Sequence, residues 1–161
     1  MGRPKAFDES DAVRAAAALF AGRAYDGVSI DDLVAALGVH RHSLYRTFGS
    51  KRGLYLAALR WQTENRLEPA LAEAAAAGGL EPLNRALLRG RDALDLVLIA
   101  AVEQAPRDPE VAAEVDRAFA AIDKAVARAL GEDHATGSPV AETTAAILGL
   151  RLRAKAAGPP S

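Results

Sequence analysis

Apolar positions in this chain recur at three- and four-residue steps, the spacing that gathers side chains on one face of an α-helix. Val13, Ala16, Ala17, Leu19 and Phe20 mark a first helix over residues 8–25, with Asp8, Glu9 and Asp11 at the end where the helix dipole favours acids. Gly27 breaks the pattern. Ser29, with Asp32 three residues on, then forms a capping-box variant ahead of Leu33, Val34 and Leu37, so a short second helix is predicted over 30–37. Gly38 supplies a left-handed residue and Val39 the apolar residue after it, which ends that helix sharply and turns the chain into another short helix over 40–48. Two short helices about a glycine turn make a helix-turn-helix.

Ser50 caps a long helical pattern that starts at Lys51, passes Leu54, Ala58 and Trp61, is expected to kink or end at Pro69, and closes at Gly78-Gly79. Leu83, Leu87 and Leu88 mark the next helix. Residues 94–104 mark another, so apolar in the middle that burial on most sides is expected. Asp108, Pro109 and Glu110 supply the N-cap, the first-turn proline and a first-turn acid of the clearest amphipathic helix, whose stripe is Val111, Val115, Ala118, Phe119, Ile122, Val126 and Leu130, stopped by Gly131. A last helix starts at Ser138-Pro139, carries Thr144, Ile147, Leu148 and Leu152, and stops at Gly158-Pro159-Pro160.

Composition agrees with an all-α fold. The 161 residues are 50% apolar but only 5% aromatic, and alanine makes up roughly a quarter, a balance suited to closely packed helices rather than β-branched sheets. A chain of roughly 150 residues buries about 70% of its unfolded surface, enough for a sizeable core. The apolar run 96–102 is far short of the ~18 residues a membrane span needs, and Met1 to Lys5 leads into acids without an apolar signal core, so a cytoplasmic protein with no membrane partner is expected. The absence of cysteine excludes disulfides, thiolate nucleophiles and zinc–thiolate sites, and His40, His42 and His134 are too scattered to suggest a metal; no metal and no cofactor is expected. No glycine-rich loop after a strand, Ser-His-Asp set or carboxylate pair emerges, so no catalytic residues are assigned and the chain does not read as an enzyme.

The net charge of −1 conceals an asymmetry. Residues 1–60 carry a balance of +3 and the remainder −4. No acid lies between Asp32 and Glu64, whereas Arg41, Arg46, Lys51, Arg52 and Arg60 fall in that gap with His40 and His42, the footprint of a surface that meets phosphates.

Residues 29–51, SIDDLVAALGVHRHSLYRTFGSK, resemble the N-terminal DNA-binding domain of TetR-family transcriptional regulators, with the Leu-Gly-Val turn, the Leu44-Tyr45 pair, Phe48 and Ser50-Lys51 at family spacing. The resemblance covers about residues 8–60. It implies a three-helix helix-turn-helix DNA-binding domain over 1–50 and, more weakly, a short helical ligand-binding and dimerisation domain over 51–161. Three departures stand out: Ala24 replaces the glycine that commonly ends the first helix, His42 replaces a small residue or proline, and Arg52-Gly53 replaces a more usual acid-alanine pair. For Ala24 two outcomes are open, a differently built cap or a strained positive φ.

In a helix-turn-helix the second helix enters the major groove, N-terminal residues first. Arg41 and His42, with Arg46 one turn on, are the candidates for base contact, since arginine bonds bidentately to guanine and histidine to a purine edge. His40 opens the same helix. Ser29, Ser43, Tyr45, Thr47 and Lys51 match family positions that meet phosphates, although Ser29 also reads as a cap and Tyr45 as packing. The family implies a homodimer on a near-palindromic double-stranded DNA operator, with Val115, Phe119, Ile122, Ile147 and Leu148 as interface candidates over helices 109–130 and 139–156. It also implies a small, mostly apolar effector, for which Trp61, Asp95, Ile99 and Glu103 are the candidate ligand-binding residues. The function expected is a sequence-specific transcriptional regulator, a repressor released by that effector. The alternative is a helical dimeric module, binding a small molecule or a protein, whose helix-turn-helix is vestigial; salt-dependent retention on DNA separates the two.

Overall fold

A computed structural model describes residues 8–89, 94–131 and 138–157 of the chain. Among these residues the architecture is all-helical: α1 (Glu9–Gly22), α2 (Ile30–Leu37), α3 (Arg41–Phe48), α4 (Lys51–Gln62), α5 (Glu68–Ala77), α6 (Leu80–Arg89), α7 (Asp95–Glu103), α8 (Pro109–Leu130) and α9 (Ser138–Ala156). None of these helices is long and apolar enough to cross a membrane. The predicted stops at Gly158 to Pro160 lie outside the described residues.

The caps are those the side chains dictate. Asp8 accepts from the amides of Ser10 and Asp11, Ser50 from Gly53, and Asp108 from Glu110 and Val111, each satisfying amides that a helix start leaves without internal partners. The first helix ends earlier than its pattern, at Gly22 rather than residue 25. Arg23 turns extended and Tyr25–Gly27 forms a 3-10 turn, because the Tyr25 amide donates to the Glu103 carboxylate of α7 at 3.1 Å instead of continuing the helix. Ala24 sits at φ −53°, so the departure from glycine is absorbed by a differently built cap without strain.

The helical path does not stop at Pro69, which lies in the first turn of α5, but it is interrupted just before it. Thr63–Leu67 widens into a π turn that joins α4 to α5, with the Glu68 amide donating to the Thr63 carbonyl. Proline removes one amide and clashes with the carbonyl four residues back, and the wider turn accommodates both.

One buried cluster runs through the molecule, from Phe20 and Leu44 through Leu54, Leu59 and Leu96 to Ile122. Helix α4 packs against α1 and α3 on one side and against α7 and α8 on the other, so it joins the helix-turn-helix to the rest. Helix α7 departs from its pattern at one end: Val102 is 72% exposed although residues before it are buried. Beneath α9, the Asp95 carboxylate of α7 takes Arg151 at 2.9 Å and Lys155 at 3.1 Å, while Lys155 also donates to the Ala21 carbonyl in the last turn of α1.

Candidate nucleic-acid interface

The site begins with the capping box at α2. Ser29 Oγ accepts from the Asp32 amide at 3.0 Å, and the Asp32 carboxylate accepts from the Ser29 amide at 2.8 Å. These bonds, the Ser29 backbone bond foremost, hold the Asp32 carboxyl below its usual range. At the other end Gly38 adopts φ 63° and ψ 30°, a left-handed conformation in which its amide still reaches the Val34 carbonyl at 3.0 Å. Leu33 of α2 and Leu44 of α3 are fully buried, which fixes how the two helices meet.

With Leu44 turned inward, Arg41, His42, Tyr45 and Arg46 are left exposed on α3. At 100° per residue they occupy an arc of about 140°. Ser43 and Thr47 lie beyond its Arg46 edge, half-buried. His40 is the N-cap of α3 through its backbone alone, its ring making no capping bond. Lys51 begins α4 with its ammonium 4.1 Å from the centroid of the Tyr25 ring, a cation–π contact that directs its long side chain. Tyr25 is itself held by an edge contact to Tyr55, 5.0 Å between centroids, and by its amide bond to Glu103. The Tyr55 hydroxyl is buried and has no hydrogen-bond partner among the described residues, and burial pushes its pKa up.

The basic window of the sequence divides in space. Arg41, Arg46 and Lys51 belong to the helix-turn-helix and the start of α4, but Arg52 and Arg60 turn to α8: Arg52 binds Asp108 at 2.5 Å and also Glu110, and Arg60 binds Glu114 at 2.5 Å. Five cations close in sequence therefore do not make one patch. The Arg52 guanidinium, helped by two backbone amides, pulls the Asp108 carboxyl down to about 2. Arg41 is engaged as well: its Nη2 donates to Asp31 Oδ1 of α2, and this bond pushes the guanidinium pKa further up.

The residues assigned to an effector are not brought together. Trp61 lines an open depression of about 440 Å³ with Val13, Ala57, Arg60 and Glu64, whereas Glu103 lines a separate one of about 320 Å³ with Ala24, Asp26 and Arg107. Asp95 is occupied by Arg151 and Lys155, and Ile99 is half-buried on α7. Among the interface candidates, Val115, Ile122 and Ile147 lie inside the protomer's own core, at 3%, 0% and 3% exposure, and have no surface to offer a second copy. Phe119 and Leu148 are partly buried at the edge of that core. Leu150 and Leu152 of α9, 52% and 45% exposed, are the larger apolar side chains facing out. Leu152 stands in the α9 pattern and Leu150 outside it; no local pattern points to Asp31 or Tyr25, which only tertiary contacts bring to Arg41 and Lys51.

The description "Bacterial regulatory proteins, tetR family" matches residues 12–58, which hold the elements above. Among curated proteins, the chain is 33% identical over 126 residues to an uncharacterized HTH-type transcriptional regulator of Bacillus subtilis, YezE, covering 73% of this chain and 65% of that protein. It is 41% identical over 58 residues to the HTH-type transcriptional repressor BdcR of Escherichia coli, covering 36% of this chain and 29% of that one. The chain thus spans under two thirds of the curated relatives it matches. Among solved structures, E. coli NemR in its reduced form superposes with a TM-score of 0.71 at 18% identity, over 91% of this chain and 87% of NemR, a likeness of fold. With the capped helix-turn-helix inside the matched residues and an all-helical remainder of like fold, residues 12–58 belong to the tetR family of bacterial regulatory proteins.

Proposed function

We propose that this chain is a sequence-specific DNA-binding transcriptional regulator that acts as a homodimer on a near-palindromic duplex and represses until a small apolar effector releases it. The observation that carries the reading is the exposed face of α3, where Arg41, His42, Tyr45 and Arg46 project beyond a buried Leu44. One helix of eight residues reads few bases, and a two-fold pair reading half-sites about 34–36 Å apart supplies the rest. Leu152, one turn after Leu148 on the same face of α9, with Phe119 of α8 at the edge of the core and Leu150 exposed on another face of α9, are the apolar side chains offered to the second copy. The name of BdcR supports repression. For the effector, the depression at Trp61 lies between α1 and α4, where an occupant would bear on the elements that carry α3. Its effect requires different affinities for the DNA-competent and DNA-incompetent geometries.

The test is selection from a random duplex library, followed by binding titrations on the selected and a scrambled duplex over a range of salt. Arg41→Ala is expected to cost about 1–3 kcal/mol on the selected duplex and to flatten preference at one position. Lys51→Ala should weaken both duplexes alike and reduce the salt slope by about one. Equal losses on both duplexes for both variants would remove the assignment of Arg41 to base contact, and failure to select any motif would remove the function.

A further inference from the structure

Arg41 opens α3, and more than half of its side chain is exposed, so burial does not fix its guanidinium. Asp31 does. It is the second residue of α2, lies ten positions earlier in the chain, and meets Arg41 across the Gly38 turn with its own side chain 82% exposed. An ion pair this open adds little to stability, so structure alone gives the chain small reason for it. Its cost is electrostatic: Asp31 places a carboxylate beside a surface that must approach phosphates, and it neutralises one of the three cations left there after Arg52 and Arg60 turn to α8.

We infer that Asp31 is a positioning residue for base recognition, holding the Arg41 guanidinium in the plane from which it reads a guanine and lowering attraction to DNA of any sequence. The inference rests on the proposed DNA-binding function and goes beyond it. A guanidinium has five N–H donors in a fixed fork, and the Asp31 bond uses Nη2. Engaging one donor restricts rotation about the long side chain while leaving others for the bidentate bond to guanine O6 and N7. Without the carboxylate, Arg41 is free to turn to the nearest phosphate, a contact that carries no sequence information. Asp31 therefore exchanges general affinity for discrimination, and its removal moves the two in opposite directions.

The experiment compares motifs selected from a random duplex library by wild type, Asp31→Asn, Asp31→Glu and Arg41→Ala, with titrations on selected and scrambled duplexes at low salt. Asp31→Asn is expected to bind the scrambled duplex several-fold more tightly, to steepen its salt slope by up to about one, and to lose preference at the same position that Arg41→Ala erases. Asp31→Glu, which keeps the charge, should hold scrambled-duplex affinity near wild type and recover part of the preference. A wild-type motif that Asp31→Asn leaves unchanged, or changes only at positions Arg41→Ala leaves intact, overturns this inference alone. No motif from the wild-type chain overturns the DNA-binding function and this inference with it. Melting curves accompany each variant, and a loss of preference accompanied by unfolding counts for the inference only if Asp31→Glu restores both.

Discussion

Replacing Gly53 with alanine sets two effects of opposite sign against each other. Gly53 is the third residue of α4, where alanine is the better helix former by about 1 kcal/mol, so propensity alone predicts a more stable protein. The tertiary structure predicts the reverse. A Cβ at Gly53 falls 2.0 Å from the Phe48 carbonyl oxygen and 3.2 Å from its carbon, and both are backbone atoms that no side-chain rotation can clear. Relief needs a movement of about 1 Å between the end of α3 and the start of α4, a strain in the class of overpacking that costs typically 1–3 kcal/mol and occasionally more. A 2.0 Å contact with backbone puts the cost at the upper end of that range, so after the propensity gain a net destabilisation of about 2 kcal/mol is expected, read as a melting temperature about 4–8 °C lower. Because the displaced carbonyl ends α3, the helix proposed to read bases, affinity for the selected duplex should fall more than affinity for a scrambled one. The assays are thermal denaturation by circular dichroism and paired DNA titrations. An unchanged or raised melting temperature would refute the close approach of Phe48 to Gly53.

Three further outcomes follow from named contacts. Asp108 titrates at about 2 in the folded chain, held down chiefly by Arg52, so the stability this pair supplies is present above the ordinary carboxylate range and is lost as pH falls toward 2; the melting-temperature gap between wild type and Arg52→Ala should be constant above about pH 5 and close between about pH 4 and 2, and a gap independent of pH would refute it. Asp95→Leu leaves Arg151, whose side chain is 12% exposed, with the Leu88 carbonyl but without its carboxylate, and should cost about 3–5 kcal/mol in denaturant titration, whereas adding Arg151→Met and Lys155→Met should recover most of it; a cost below about 1 kcal/mol for the single change would show the cluster to be idle. Leu150→Glu with Leu152→Glu should leave each protomer folded but shift sedimentation from dimer to monomer, and a persistent dimer would place the interface elsewhere.

Local signals were sufficient for the helix-turn-helix. Ser29 with Asp32, Gly38 with Val39, and Ser50 before Lys51 act within four residues, and each formed the cap or turn its chemistry predicts at the expected place. Periodicity likewise marked α8, where a 22-residue amphipathic stripe outweighs any single contact. Long-range partners decided the rest. Helix α1 stops at Gly22 because Glu103, 78 residues beyond Tyr25, takes an amide that local pattern would have kept in the helix. The basic run divides because Asp108, Glu110 and Glu114 on α8 meet Arg52 and Arg60, a pairing no charge count along the chain reveals. The stripe on α8 and α9 declared which residues avoid water, but not whether a protomer or a second copy covers them, and packing assigned Val115, Ile122 and Ile147 to the protomer and left Leu150 and Leu152 outside. Caps and turns are short-range hydrogen bonds whose partners adjoin in sequence, whereas ion pairs and burial depend on which surfaces the folded helices bring together.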